Sequence, residues 1–144
     1  MKWLIPLAVL AMTAAPSFAA DTEANKKTVL EFYEAGLNKK DFEAASKYFG
    51  PKYIQHNPGA PDGAEGFKSF LAFLRDKFPS SHSEIKKVFA EGDFVILHVH
   101  AVREPGTRGR AIVDIFRLEN GKIVEHWDVA QDIPEKMPHD NGMF

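Results

Sequence analysis

The chain changes its hydrophobic period halfway along. In the first half Val29, Phe32, Tyr33 and Leu37 recur at spacings of three and four, which places them on one face of a helix beginning near Asp21. Asn38 to Lys40 ends that helix, and Asp41 is a good N-cap for a short second one, FEAASKYF, closed by Gly50-Pro51. KYIQHN is too short for a helix and alternates, so it reads as a strand. In PGAPDGAEG, a loop, Asp62 and Glu65 stand at capping-box spacing ahead of a third helix. That helix carries Phe67, Phe70, Leu71, Leu74 and Phe78 on one stripe, a pattern of core packing rather than of ligand contact.

The second half has a period of two. SEIKKVFAE turns at Gly92-Asp93 into FVILHVHAVR, which pauses at EPGTRGR; AIVDIFRL then turns through Asn120-Gly121, a strong hairpin signal, into KIVEHWDV. Short turns between successive strands predict an antiparallel meander. Helices followed by strands predict an α+β domain, its N-terminal helices packed on one face of a curved, mainly antiparallel sheet.

Composition narrows the class. MKWLIPLAVLAMTAAPSFAA has a lysine at position 2, an apolar run from Trp3 to Met12 and a small-x-small pair at Ser17 and Ala19. Residues 1–19 therefore read as a cleavable signal peptide, too short in its apolar part to span a bilayer, with residues 20–144 a single domain and an exported or periplasmic location. A formal net charge of −2 with no basic block argues against a nucleic-acid partner. The absence of cysteine excludes disulfides, thiol nucleophiles and zinc–thiolate sites. Once the signal is removed, no membrane partner is expected.

Parity sorts the polar residues of the strands. Val124, His126 and Asp128 share one face of the last strand, opposite Ile123, Glu125, Trp127 and Val129. Ile112, Asp114, Phe116 and Leu118 share a face opposite Arg117, and Phe94, Ile96, His98, His100 and Val102 share one opposite Arg103. If both arginines face outward, His98, His100, Asp114, His126 and Asp128 all face inward among apolar neighbours. Any one such histidine is more simply a satisfied core residue, but five ionisable groups on three consecutive strands point to an acid–base pocket. Two other readings use the same residues. One is a ligand-binding module without catalysis; the other is a metal site built from His98, His100 and His126 with Asp114 or Asp128.

The helical first half, YIQHNP (Tyr53 to Pro58) and VDIFRLENGKIVEHWDV (Val113 to Val129) together resemble the SnoaL-like polyketide cyclases of the nuclear transport factor 2-like superfamily. The resemblance covers roughly Asn25 to Asp132 and implies a cone-shaped fold. It also implies an acid–base aldol cyclisation, or a related isomerisation or dehydration, of a small hydrophobic carbonyl compound without metal or organic cofactor. By motif match the acid–base aspartate falls on Asp128 and the pocket histidine on His126, with a role for His56 and Asn57. His98, His100, Asp114 and Phe116 complete the candidate substrate-binding set, and relatives of this fold imply a homodimer through the outer face of the sheet. An export signal and the His98-x-His100 pair both depart from a cytoplasmic tailoring cyclase.

The signal reading makes a direct prediction: N-terminal mass analysis of exported protein should find the chain beginning at or near Ala20, and a mature form retaining Met1 would refute it.

Overall fold

A computed structural model describes residues 21–144; the predicted signal peptide lies outside the described residues. Helix α1 (Thr22–Tyr33) is capped by the Asp21 carboxylate, which accepts from the Ala24 N–H at 3.0 Å, and runs into one π-helical stretch, Glu34–Asn38. Helix α2 (Phe42–Ser46) is capped in the same way by Asp41, as its sequence position predicts. Strand β1 (Phe49–Gln55) follows, then α3 (Gly63–Lys77) and a meander of β2 (His82–Glu91), β3 (Phe94–Val102), β4 (Arg110–Glu119) and β5 (Lys122–Asp132). The chain is α+β, as predicted: one five-stranded sheet in the order β1-β5-β4-β3-β2, antiparallel except where β1 runs parallel to β5. Among the described residues no helix is long and apolar enough to cross a membrane.

The helical stripes pack where the spacing puts them. Val29, Phe32, Phe67 and Leu71 are buried against Val95, Leu97, Val99, Phe116 and Leu118 of the sheet. Phe32 is the hub, its ring centroid 5.2 Å from those of Phe49 and Phe67 and 5.8 Å from that of Phe116. The Asn120-Gly121 hairpin forms with both residues at positive φ, 52° and 70°, the conformation that its sequence signals.

Four local expectations are corrected. Gly50-Pro51 does not close a helix but lies within β1, where the Val124 side chain of β5 packs over Gly50 and a Cβ would sit 2.7 Å from it. Val124 is itself the extra residue of a β-bulge, since Arg117 pairs with Glu125 but Leu118 pairs with Ile123. The bulge returns Ile123 to the same inner face as His126, against simple parity. Asp62 makes no cap bond to α3; its Oδ1 accepts instead from the backbone N–H of Gln55 at 2.8 Å, tying the loop back onto β1.

The fourth correction matters most. On β3 the inner residues are Val95, Leu97 and Val99, all fully buried, and the Leu97↔Asp114 register puts Leu97 on the side of Asp114. Phe94, Ile96, His98 and His100 therefore face outward and Arg103 faces inward. Period alone does not say which face is inner, and taking Arg103 as outward inverted this strand. On the outer face the rings of His98 and His100 lie 5.1 and 5.0 Å from that of Phe144, and His100 Nε2 meets the Arg108 carbonyl at 2.8 Å.

Gly66, in the first turn of α3, passes so close to the Pro61 carbonyl that a Cβ would collide with that backbone oxygen. Gly66→Ala should therefore destabilise the domain by about 1–3 kcal/mol, read from the urea midpoint. An unchanged midpoint would show that the loop yields freely.

Candidate active site

The sheet curls around a cavity of about 240 Å³ lined by Phe32, Tyr33, Tyr53, Phe67, Ile112 and Phe116, with Gln55, Asn57, Asp114, His126 and Asp128 as its polar wall. Cross-strand register explains the grouping. Asp114 pairs with Asp128 and Phe116 with His126 across β4 and β5, while Gln55 lies beside His126 across the parallel β1–β5 pair. Paired residues project to the same face, so three strands deliver their polar side chains to one place.

The hydrogen bonds fix the protons. The backbone N–H of Asn57 donates to Gln55 Oε1 at 2.9 Å, so that atom must be the amide oxygen, and Gln55 Nε2 donates to Tyr53 Oη at 3.2 Å. His126 Nδ1, 2.9 Å from the same oxygen, must then carry a proton. Its Nε2 lies 3.0 Å from Asp114 Oδ1, a contact that needs one proton more, and Asp114 Oδ2 accepts from Tyr33 Oη at 3.1 Å. The His126–Asp114 pair thus holds two protons, as imidazolium and carboxylate or as imidazole and carboxylic acid, with no net charge either way. Burial first, then the Asp114 charge, raises the Tyr33 hydroxyl well above the ordinary tyrosine range. Burial, followed by Asp114 and Asp128, raises that of Tyr53, so both phenols remain donors at neutral pH.

Asp128 is held differently. Asn57 Oδ1 accepts from the Gly59 N–H at 2.6 Å, which turns Asn57 Nδ2 toward Asp128, 2.7 and 2.6 Å from its two oxygens. Asp128 consequently lines the cavity as an oriented carboxylate. Tyr53 accepts from Gln55, and its own proton has no acceptor among the described residues, which leaves a buried O–H donor for a ligand.

The predicted site residues divide cleanly. The cone brings together Asn57, Asp114, Phe116, His126 and Asp128. It does not bring in His98 and His100, which are on the other face of β3, or His56. The His56 ring stacks on Trp127 at 4.6 Å and its Nε2 meets Glu125 Oε1 at 2.8 Å, on the outer side. Sequence reasoning missed Tyr33, Tyr53 and Gln55. Parity in YIQHN was the available signal for two of them, because Tyr53, Gln55 and Asn57 alternate onto one face and His56 falls on the other. Tyr33 gave none, since its helical spacing is that of a core residue.

Helices packed on a five-stranded mixed sheet around a small cavity give the α+β fold of NTF2-like proteins. The chain belongs to the SnoaL-like polyketide cyclase family, whose model matches residues 27–135. Among solved structures it is similar to a candidate polyketide cyclase from Acidithiobacillus ferrooxidans, at 23% identity and a TM-score of 0.64 over 77% of this chain and 90% of that one. AclR, a candidate hydroxylase from Streptomyces galilaeus, is similar at 23% identity and a TM-score of 0.64, over 77% of this chain and 91% of that one. An NTF2-like protein of unknown function from Cytophaga hutchinsonii is similar at 24% identity and a TM-score of 0.62, over 74% and 89% of the two chains. Among curated proteins no relative matches.

The proton assignment is testable without a substrate. NMR of the imidazole nitrogens at neutral pH should find His126 protonated at Nδ1, and a ring protonated at Nε2 alone would overturn the assignment. Asp114→Ala, which leaves two buried donors unpaired, should cost about 1–3 kcal/mol of stability.

Proposed function

We propose that the cone abstracts a proton from the carbon next to a carbonyl group, with Asp128 as general base, in an aldol cyclisation or a related isomerisation. The observation that carries this reading is the Asn57-oriented Asp128 carboxylate in an apolar cavity, opposite a proton-bearing His126–Asp114 pair. Asp128 would take the α-proton and become a carboxylic acid, while the C–H electron pair moves into the carbonyl to form an enolate. The Tyr53 hydroxyl suits the enolate oxygen as donor, because burial keeps it protonated and its proton is otherwise unused. In a cyclisation the enolate carbon then bonds to a second carbonyl carbon of the same molecule, and Asp128 returns its proton to the new alkoxide. Both ring nitrogens of His126 are engaged, so it would hold the Asp114 proton beside the reacting centre rather than bind substrate.

A cavity of about 240 Å³ is smaller than those that enclose drug-sized ligands, so the reacting end of the substrate is small. Homodimerisation through the outer sheet face suits the exposed Phe94, Ile96, Val113 and Val129 found there. One observation favours a second reading: Asp114, His126 and Asp128 offer ligand atoms all within 4.8 Å of one another. A divalent cation would displace the proton between His126 and Asp114, with Gln55 orienting the ring from behind.

The test is α-proton exchange into deuterated water, over a panel of β-dicarbonyl esters and enones. Asp128→Asn should slow exchange by roughly two to four orders of magnitude, and Tyr53→Phe by about 10²–10³-fold. Glu125→Gln should leave it nearly intact, because Glu125 is on the outer face, paired with Arg117 and His56. Equal exchange by wild type and Asp128→Asn would exclude Asp128 as the base. Exchange abolished by a chelator and restored by a divalent cation would select the metal reading.

A further inference from the structure

Arg103 turns inward at the end of β3, against the expectation from its sequence position, and the ionic network among the described residues does not use it. Arg117 binds Glu125 and Glu119, and Arg110 Nε binds Asp132 at 2.8 Å. Arg103 has no hydrogen bond or ion pair among the described residues. Its guanidinium instead lies over the Phe78 ring, 5.4 Å from the centroid. A cation–π contact of this kind steadies the guanidinium and leaves its N–H edges free to receive a planar carboxylate by two parallel hydrogen bonds.

Its location gives this a meaning. Arg103 and Arg110 line the inner cavity and also an open depression of about 630 Å³ outside it, so they stand where the two join. The Ala101↔Arg110 and Arg110↔Asp132 registers put this ring of residues at the mouth of the cone. Asp114 lies four residues farther down β4, about 13 Å along the strand. Glu104 and Glu135 also line the depression, yet neither forms an ion pair with Arg103.

We infer that the substrate is an oxo acid, its carboxylate held at the mouth by Arg103 with Arg110 alongside and its carbonyl end lowered toward Asp128. This assigns a substrate class to the acid–base reading above and rests on it. It also orients the substrate: the anion stays at the rim beside Arg103, and the α-carbon alone approaches the aspartates.

Binding and exchange test the two ideas separately. Levulinate and its next two straight-chain homologues would be titrated by calorimetry at low salt, each against its uncharged primary amide. At least one acid should bind about tenfold more tightly than its amide, with the preference shrinking as salt rises and vanishing in Arg103→Gln. Equal binding of all three pairs, or a preference that survives Arg103→Gln, would overturn the carboxylate site. The same titration in Asp128→Asn should keep the preference. A preference present there, with no α-exchange by wild type on any acid, sustains the anion site and sinks the base. Wild-type exchange on amides as fast as on acids does the reverse.

Discussion

The amide oxygen of Gln55 accepts two hydrogen bonds, one of them from a backbone N–H that has no alternative polarity. The protons of the His126–Asp114 pair follow from that one constraint. It places a proton on His126 Nδ1 and forces a second into the contact with Asp114. Without that second proton, Asp114 and Asp128 would be two charges with oxygens within 4.8 Å of each other. At an effective dielectric of about 20 their repulsion would be about 3 kcal/mol, a large fraction of the stability of a domain this size. The proton lets two carboxylates occupy one apolar cavity and gives them unlike roles, the division of labour that acid–base chemistry at neutral pH requires.

The architecture was legible in the sequence because each signal was local. The helical stripes, the Asn120-Gly121 hairpin and the Asp41 cap depend on residues a few positions apart, and all formed as read. The pairing of Asp114 with Asp128 on one inner face also followed from parity, since β4 is regular and its outward Arg117 is identifiable. What failed was non-local. The orientation of β3 is set by its register with β4, which no period within β3 encodes, and an inward arginine misled the assignment of His98 and His100. Ile123 was misplaced by the bulge at Val124, a residue that packs over Gly50 on a different strand. Gln55 was invisible as an organising group because the ring it orients, His126, lies 71 residues away in the sequence.

The outer face of β5 completes the account of the mixed run Glu125-His126-Trp127-Asp128. Glu125 bonds Arg117 and His56, which with the Arg117 bonds hold its carboxyl below the usual range, while Trp127 carries the stacked His56 ring. These outward groups do no chemistry on the cavity. They fasten the end of β1 to β5, where the His56 N–H also donates to the His126 carbonyl at 2.9 Å.

That fastening decides the site, because the pleat makes register an all-or-nothing matter. A slip of one residue in β1 would send His56 into the cone and turn Gln55 and Asn57 out, removing the orienter of His126 and the clamp on Asp128 together. The irregularity in the β1–β5 pairing lies upstream, between Phe49 and Ile54, where Gly50-Pro51 absorbs it. From Ile54 onward the pairing is in step with β5. The Asp62 bond to the Gln55 N–H then holds the returning loop, and the close approach of Pro61 to Gly66 seats that loop on α3. The irregular pairing thus lies upstream of Ile54, and Gln55 and Asn57, the groups that hold His126 and Asp128, lie downstream of it.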